Sequence, residues 1–235
     1  MVVSFKALAS LLTYPTADLQ ATAPVALAAV AEEGLISAAI QRSLTRLVAE
    51  LTDGDLYDLQ ERYTDLFDRT RSLSLNLYEH AHGESRDRGE AMVTLLELYR
   101  ANGLELSANE LPDYLPVFLE YLSTRPKAEA ASLLGEASHV LEAMAERLKQ
   151  RNSPYRAVFG AMAELAGESA DPAALAALLS EPAEDPDDLE AIDKAWAETA
   201  VTFGPSEVGC PKAEAIVGAM MAEPGVQPRR ARAAV

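Results

Sequence analysis

The sequence predicts an all-α protein built as a single-domain helical bundle. Apolar residues recur at intervals of three and four along most of the chain, which is the spacing of one helix face. Glycine, proline and small polar residues separate these stretches, and no stretch has a convincing partner for strand pairing. With 235 residues, 49% of them hydrophobic, the chain can bury one sizeable core.

Four amphipathic segments occupy the first third of the chain. We expect Pro24 to open the second of them, because proline in the first helical turn lacks only an N–H that would have had no partner. Gly34 follows that helix. The apolar stripes of the other three segments cover residues 5–12, 36–51 and 56–67.

The next stretch, residues 73–92, carries a dense cluster of charges and two of the three histidines. Leucines alternate with polar residues over positions 73–77, which indicates an extended connection. Ser85 is the predicted N-cap of the following helix, which ends at Gly103.

Later helices start at recognisable signals. Asp113 is a predicted N-cap, and the apolar stripe that follows Pro126 predicts one long helix reaching to Leu148. Ser153-Pro154 and Asp171-Pro172 each combine an N-cap residue with proline at the first helical position, so each predicts a further helix.

Composition suggests three regions along the chain. Residues 1–180 form the predicted helical domain. Residues 181–223 are an acidic, proline-broken linker with a C-terminal helical extension, in which Leu189, Ile192 and Trp196 mark a final helix. The basic residues 224–235 have too little apolar content to pack and are expected to be disordered.

Charge and cysteine content exclude several classes of protein. A formal net charge of -17 disfavours binding to nucleic acid or to an anionic membrane surface, and it would attract a basic partner. The single cysteine, Cys210, excludes an intrachain disulfide framework and fits a reducing compartment. No secretory signal or membrane-spanning stretch is recognisable, so we expect a soluble, cytoplasmic protein.

Two motifs carry a resemblance to a known family. They read Glu79-His80-x-His82-Gly83-x-Ser85-Arg86-Asp87-Arg88-Gly89-x-Ala91-Met92 and Glu110-Leu111-Pro112-Asp113-Tyr114-Leu115-Pro116. The match extends to Leu11-Leu12-x-Tyr14-Pro15, Tyr63-x-x-Leu66-Phe67-Asp68, Ser153-Pro154-Tyr155 and Cys210-Pro211. Together they resemble the nitrate reductase assembly chaperone (NarJ) family, one of the all-helical redox-enzyme maturation chaperones. Tyr114 departs from the wider group's Glu-Pro-x-Asp-His motif, which has histidine at that position.

The resemblance implies a cytoplasmic chaperone that is not an enzyme and carries no cofactor of its own. Its implied partner is the N-terminal, leader-like segment of the apo nitrate reductase catalytic subunit. The chaperone would delay membrane attachment of that subunit while molybdenum cofactor and an iron–sulfur cluster are inserted. No nucleic acid and no direct membrane insertion are expected, and a homodimer is left open.

The resemblance also supplies candidate peptide-binding residues. They are Glu79, His80, His82, Arg86, Arg88, Met92, Glu110, Asp113, Tyr114, Pro116 and Phe118. We expect Glu79, His80 and Tyr114 to line an apolar groove with acids such as Glu79, Glu84, Asp113 and Glu120 at its rim. Arg86, Asp87 and Asp113 are also candidates for a structural role, holding two helix entrances together through charge-assisted hydrogen bonds.

Two other chemistries compete with peptide recognition. Glu79-x-x-His82 and Glu136-x-x-His139 are the paired motifs that di-iron helical bundles place on two of their helices, so a metal site is the alternative hypothesis. Gly83 follows the first pair in a segment that does not resemble the middle of a helix. Catalysis is disfavoured because the sequence has no nucleophile elbow, phosphate loop or cysteine near a histidine.

Overall fold

The computed structural model describes residues 2–82, 86–106, 110–167, 170–180 and 190, and leaves the side chains of residues 81, 82, 86 and 87 undescribed. The described residues form eleven α-helices and one 3₁₀ turn, without a β-strand, which confirms the all-α prediction. In chain order the elements are α1 (Val3–Leu11), α2 (Ala17–Glu33), α3 (Ala38–Asp53), α4 (Leu56–Phe67), the 3₁₀ turn (Arg71–Leu73), α5 (Leu77–His82), α6 (Arg86–Ala101), α7 (Leu115–Ser123), α8 (Lys127–Glu136), α9 (Ser138–Gln150), α10 (Arg156–Ala166) and α11 (Pro172–Ser180).

One continuous core joins these helices. The first helix, α1, packs against α2 and α7 and also touches α10, and its Phe5, Leu8 and Leu11 side chains are inaccessible to solvent. On the other side, α10 packs against α3, α8 and α9. The Glu33 carboxylate, at the end of α2, accepts the backbone N–H groups of Val3 and Ser4 at 2.9 and 2.8 Å. This contact caps α1 from a neighbouring helix.

Several predicted helix boundaries are confirmed. The fourth amphipathic segment is α4, where the Asp55 carboxylate accepts the backbone N–H of Tyr57 at 2.9 Å. Asp171 starts α11 in the same way, through the backbone N–H of Ala173 at 3.1 Å. Gly34 and Gly103 both have positive φ, the conformation that a glycine after a helix adopts most easily.

The predicted start of the second helix is wrong. This helix begins at Ala17, where the Thr16 hydroxyl accepts the backbone N–H of Leu19 at 3.1 Å. Pro24 lies inside the helix. Leu19 and Ala23, before the proline, are buried in the core. This packing keeps the chain helical through a position that local propensity alone would assign to a helix start.

The prediction of one long helix after Pro126 is also wrong, because the helix is interrupted at Ala137, which separates α8 from α9. The backbone N–H of Ala137 donates to Leu134 O, three residues back, and Ala137 O then accepts the N–H groups of Val140 and Leu141. One residue therefore closes α8 and opens α9. Since Leu134 and Leu141 are both buried, a single apolar pattern serves two helices.

Two other helix starts differ slightly from the predicted ones. The extended connection ends earlier than expected, because α5 begins at Leu77. Although Ser153-Pro154 was predicted to open a helix, α10 begins at Arg156, after a turn in which the Ser153 hydroxyl accepts the N–H of Tyr155 at 3.4 Å.

The remaining predictions on fold concern parts of the chain outside the described residues. They are the Ser85 cap, the linker and tail within residues 181–235, apart from the helical Glu190, and the expected final helix around Trp196. Of the helices that are described, none has the length and apolar character needed to cross a bilayer.

Candidate functional site

The two motifs that carry the resemblance lie side by side. The backbone N–H of Leu77 donates to Asp113 O at 3.0 Å, and that of Leu115 donates to Leu75 O at 2.8 Å. Between these bonds, Asn76 and Tyr114 form an antiparallel bridge. The extended segment at residues 74–76 therefore has a pairing partner, which the sequence did not reveal.

Asp113 lies neither at the N-cap of α7 nor at an accessible rim, which are the two positions predicted for it. The N-cap of α7 is Tyr114, which makes no side-chain capping bond. Asp113 instead accepts the backbone N–H of Tyr78 at 3.2 Å, so its carboxylate caps the first turn of α5 from across the bundle. Its side chain is completely buried, so the prediction that it lies at an accessible rim is wrong. The hydrogen bond is consistent with the structural role that we expect for this residue.

Arg88 links the two motifs electrostatically. Its guanidinium lies 3.0 Å from the Glu79 carboxylate and 3.9 Å from that of Asp113. Only 14% of the Arg88 and Glu79 side chains is exposed, so Glu79 is mostly enclosed rather than free at a rim. Burial raises the pKa of Asp113, and the neighbouring Arg88 opposes that rise. The predicted charge-assisted contact between helix entrances therefore involves Arg88.

His80 contacts the same paired segments. Its Nε2 lies 2.8 Å from Ser74 O, and because a carbonyl oxygen can only accept, the ring nitrogen donates. Burial lowers the pKa of His80, and the positive charge of Arg147 acts in the same direction. The hydrogen bond to Ser74 O opposes this shift, but the net lowering of the pKa favours the neutral ring.

The other predicted site residues separate into three groups. Pro116 and Phe118 are buried in the first turns of α7, and half-buried Met92 packs against the core. Glu110 is exposed, and Tyr114 is half-buried. The side chains of His82 and Arg86 lie outside the described part of the structure.

A cleft of about 200 Å³ opens beside the Asn76–Tyr114 bridge, and we call it the aromatic cleft. It is lined by Tyr14, Tyr63, Phe67, Asp68, Ser74, Leu75, Asn76 and Tyr114. The Tyr14 and Tyr63 rings meet edge to face, with centroids 5.5 Å apart. The Tyr63 hydroxyl donates to Leu12 O at 2.8 Å, so the Tyr114 hydroxyl, 3.3 Å away, must donate to Tyr63. These bonds fix two of the walls.

One acidic residue lines the aromatic cleft and a second lies near it. Asp68 lies at the surface there, where partial burial raises its pKa. Burial raises the pKa of Tyr114, the hydrogen bond with Tyr63 opposes that rise, and the charges of Glu110 and Asp68 add to it. Aromatic faces and carboxylates together favour a cationic or amphipathic side chain over an anionic one.

Most residues of this cleft were not among the predicted site residues. Tyr14, Tyr63, Phe67 and Asp68 come from the two outlying segments of the resemblance, Leu11-Leu12-x-Tyr14-Pro15 and Tyr63-x-x-Leu66-Phe67-Asp68. Their position in those family-like segments was the only indication in the sequence that they could belong to a site. Tyr114 is the one predicted site residue that lines the cleft.

The di-iron hypothesis gains no support from the geometry. Glu79 pairs with Arg88, while Glu136 ends α8 and His139 lies on α9, beyond the break at Ala137. Across the ranges that the structure describes, no three histidine, cysteine, aspartate or glutamate side chains converge to hold a metal ion.

Comparison with known proteins finds relatives among assembly chaperones. NarJ of Escherichia coli (strain K12), a nitrate reductase molybdenum cofactor assembly chaperone, is 40% identical over 200 residues, covering 85% of this chain and 84% of that protein. NarW of the same strain, described as a chaperone of the same kind, is 42% identical over 160 residues, covering 68% of this chain and 69% of that protein. These relatives are assembly chaperones rather than catalysts.

A solved structure shows the same fold. It is a protein of Archaeoglobus fulgidus described as a redox enzyme maturation protein, with a TM-score of 0.52 and 22% identity, covering 72% of this chain and 94% of that one. The family model of the nitrate reductase delta subunit matches residues 33–161. That match spans more than half of the chain and includes both motifs at the Asn76–Tyr114 bridge. The chain therefore belongs to the nitrate reductase delta subunit family, and it is similar over most of its length to a NarJ assembly chaperone.

Proposed function

We propose that this protein, a nitrate reductase maturation chaperone, binds the N-terminal segment of the enzyme's catalytic subunit in the aromatic cleft. By holding the apoprotein, it keeps that subunit open to insertion of molybdenum cofactor and an iron–sulfur cluster, and it delays attachment to the membrane. The chaperone acts in the cytoplasm, where the apoprotein is made.

The convergence of three motif segments on one cleft carries this proposal. Tyr14 comes from the loop after α1, Tyr63 and Phe67 from α4, and Tyr114 from the start of α7. Tyr14 is 45% exposed although its ring packs on Tyr63, so it offers an aromatic face to a ligand. Each apolar side chain that a peptide buries here would contribute roughly 1.5–3 kcal/mol to binding.

The charges in and beside the cleft favour a basic peptide. Asp68 and Glu110 both lie near Tyr114, and the whole chain carries a net charge of -17. An exposed ion pair contributes at most about 1 kcal/mol, so these carboxylates guide orientation and partner choice more than they determine affinity. Aromatic contacts supply most of the binding energy.

Binding alone is sufficient for this role. A ligand that binds one conformation of a partner shifts the partner's population towards it, so a chaperone can maintain an open apoprotein without chemical turnover. Release follows when cofactor insertion changes the conformation of the partner, because the chaperone no longer binds that conformation preferentially.

Titration calorimetry tests the proposal. The native N-terminal peptide of the catalytic subunit should bind saturably, and a scrambled peptide should not. Tyr14→Ala should weaken binding about tenfold or more, which corresponds to roughly 1.4 kcal/mol. Asp68→Asn should weaken it less, and the effect should shrink at high salt.

Tyr57→Ala is the matched control. Tyr57 lies on α4, the helix that carries the cleft residues Tyr63 and Phe67, but it is 79% exposed and does not line the cleft, so its removal should leave affinity unchanged. No binding of the native peptide would contradict the proposed function. Native binding that Tyr14→Ala leaves intact would place the peptide elsewhere on the chaperone.

The predicted residues next to the cleft are tested in the same titration. Tyr114→Ala should weaken binding, because Tyr114 lines the cleft. Glu79→Ala and His80→Ala should lower the melting temperature as well as the affinity, because both side chains hold the paired segments. An affinity loss at Glu79 or His80 without a loss of thermal stability would show direct contact with the peptide.

A further inference from the structure

The last described helix, α11, is apolar on every side and yet uncovered. Its sequence, Pro-Ala-Ala-Leu-Ala-Ala-Leu-Leu-Ser, has no charged residue. It packs against α9, but none of its residues is buried, and Leu179 is 38% exposed. Since helices that are apolar all round are normally enclosed, another segment is needed to cover α11.

A groove of about 490 Å³ runs beside this helix, and we call it the α11 groove. Its apolar lining comes from four helices: Ile40 of α3, Ala145 of α9, Ala157 of α10, and Leu175 and Leu179 of α11. The groove lies among helices other than α4 and α7, whose residues help to line the aromatic cleft. The two sites are therefore distinct.

The polar edge of the α11 groove carries an exposed cation. Glu142 and Glu146 are engaged there, the first by the backbone N–H of Ala170 at 2.9 Å and the second by Lys149 at 2.9 Å. Arg156 is exposed and makes no ion pair with any residue that the structure describes. A segment that covers this groove would therefore combine apolar side chains with negative charge.

The chain itself continues from this place with such a sequence. The described part of α11 ends at Ser180, directly after the groove residue Leu179. Residues 181–190 contain six acidic side chains, and Leu189, Ile192 and Trp196 follow at intervals of three and four. The residues between Ser180 and Leu189 can extend by about 3.3–3.6 Å each, which is enough to turn back onto the groove.

We propose that Leu189, Ile192 and Trp196 of the same chain occupy the α11 groove, with the preceding acidic residues facing Arg156. The segment would cover α11 and extend the core of the bundle beyond the last described helix. This inference concerns a contact within the chain and does not depend on the proposed binding of a reductase peptide.

Fluorescence of the full-length protein tests this docking, because Trp196 is the only tryptophan in the chain. In the wild type its emission should be blue-shifted and weakly quenched by acrylamide, at every protein concentration. Leu179→Asp, which introduces a carboxylate at a partly exposed groove residue, should shift the emission to the red and increase quenching severalfold. Arg156→Glu should act in the same direction.

Val93→Asp is the control, since Val93 is 56% exposed on α6 and does not line the groove. It should leave the emission unchanged, and circular dichroism should show that all three variants are folded. The proposal is overturned if Trp196 of the wild type is as accessible as in urea. It is also overturned if both groove variants leave a protected Trp196 unchanged, or if the protection disappears on dilution, which would make a second copy the occupant.

Discussion

The Asp113 carboxylate accepts the backbone N–H of Tyr78 at 3.2 Å, although the two residues lie 35 positions apart in the chain. A capping bond of this kind is usually made by a residue next to the helix in sequence. Here a residue two positions before the start of α7 caps α5, so the same bond that closes a helix end also joins the two motifs. Asp113 thereby connects the start of α5 with the segment before α7.

Asp113→Ala should lower the free energy of unfolding by about 2–4 kcal/mol, because it leaves the N–H of Tyr78 and part of the Arg88 charge without a buried acceptor. Asp113→Asn should cost less, because its amide oxygen can still accept that N–H. Urea denaturation measures both changes. Glu110→Ala is the control, and this exposed neighbour should change stability by no more than about 0.5 kcal/mol. Equal stability of Asp113→Ala and the wild type would show that the bond has little energetic value.

His80 should make stability depend on pH. Burial lowers its pKa in the folded state below the ordinary value near 6.5, so the unfolded chain binds more protons than the folded chain as the pH falls from about 7. The free energy of unfolding should therefore decrease with falling pH until the folded-state pKa is passed. His80→Gln, which can still donate to Ser74 O, should remove this component. A constant difference in stability between wild type and His80→Gln from pH 7.5 to 5.5 would contradict the assignment.

Arg147 should anchor α11 to the bundle. Its guanidinium donates to Ser72 O at 2.9 Å and to Leu178 O at 2.7 Å, and only 5% of the residue is exposed. Arg147→Met should lower stability by about 1.5–3 kcal/mol, the usual range for hydrogen bonds from a charged group. Hydrogen exchange of the amides in α11 should accelerate. Arg69→Met, at a surface ion pair, should change neither measurement appreciably.

Glu33 should stabilise the N-terminus of α1 in a pH-dependent way. Although burial raises the pKa of Glu33, the hydrogen bonds from Ser4 and Val3 outweigh it, and the pKa is lowered in the folded state. Its contribution, about 1 kcal/mol, should be present above the unfolded pKa near 4.5 and be lost as the pH falls through the folded pKa. Glu33→Gln should show a loss at pH 7 that disappears in acid. Glu32→Gln, at the exposed neighbour, should show none.

Helices with local start signals were predictable from the sequence. Asp55 and Asp171 cap α4 and α11 through residues two positions ahead, so the information lies within a few residues. The conformation at Pro24 and at Ala137 could not be predicted from neighbouring residues in this way. Packing of α2 carries the helix through Pro24, and a backbone break at Ala137 leaves the apolar spacing of its neighbours almost unchanged. Neither outcome has a local signature.

The contact between the two motifs was predictable, but its details were not. The motifs at Glu79 and Tyr114 do meet, as expected for two helix entrances that are held together. Whether a carboxylate lies at a rim or in the interior depends on which face of a short helix meets its neighbour, and Glu79 and Asp113 both turn inward towards Arg88. Tyr14 and Tyr63 reach the aromatic cleft from distant segments, and such proximity is a property of the tertiary fold.

The bridge between Asn76 and Tyr114 has a kinetic consequence. It closes a long loop of the chain. The entropy lost in closing this loop opposes formation of the bridge until the contacts around it have formed. The walls of the aromatic cleft span the chain from Tyr14 to Tyr114, so the ribosome must release nearly half of the polypeptide before they can assemble. The number of ligand-binding sites in a preparation should consequently equal the number of folded molecules. During refolding, ligand binding should recover together with tertiary structure, and later than helix content.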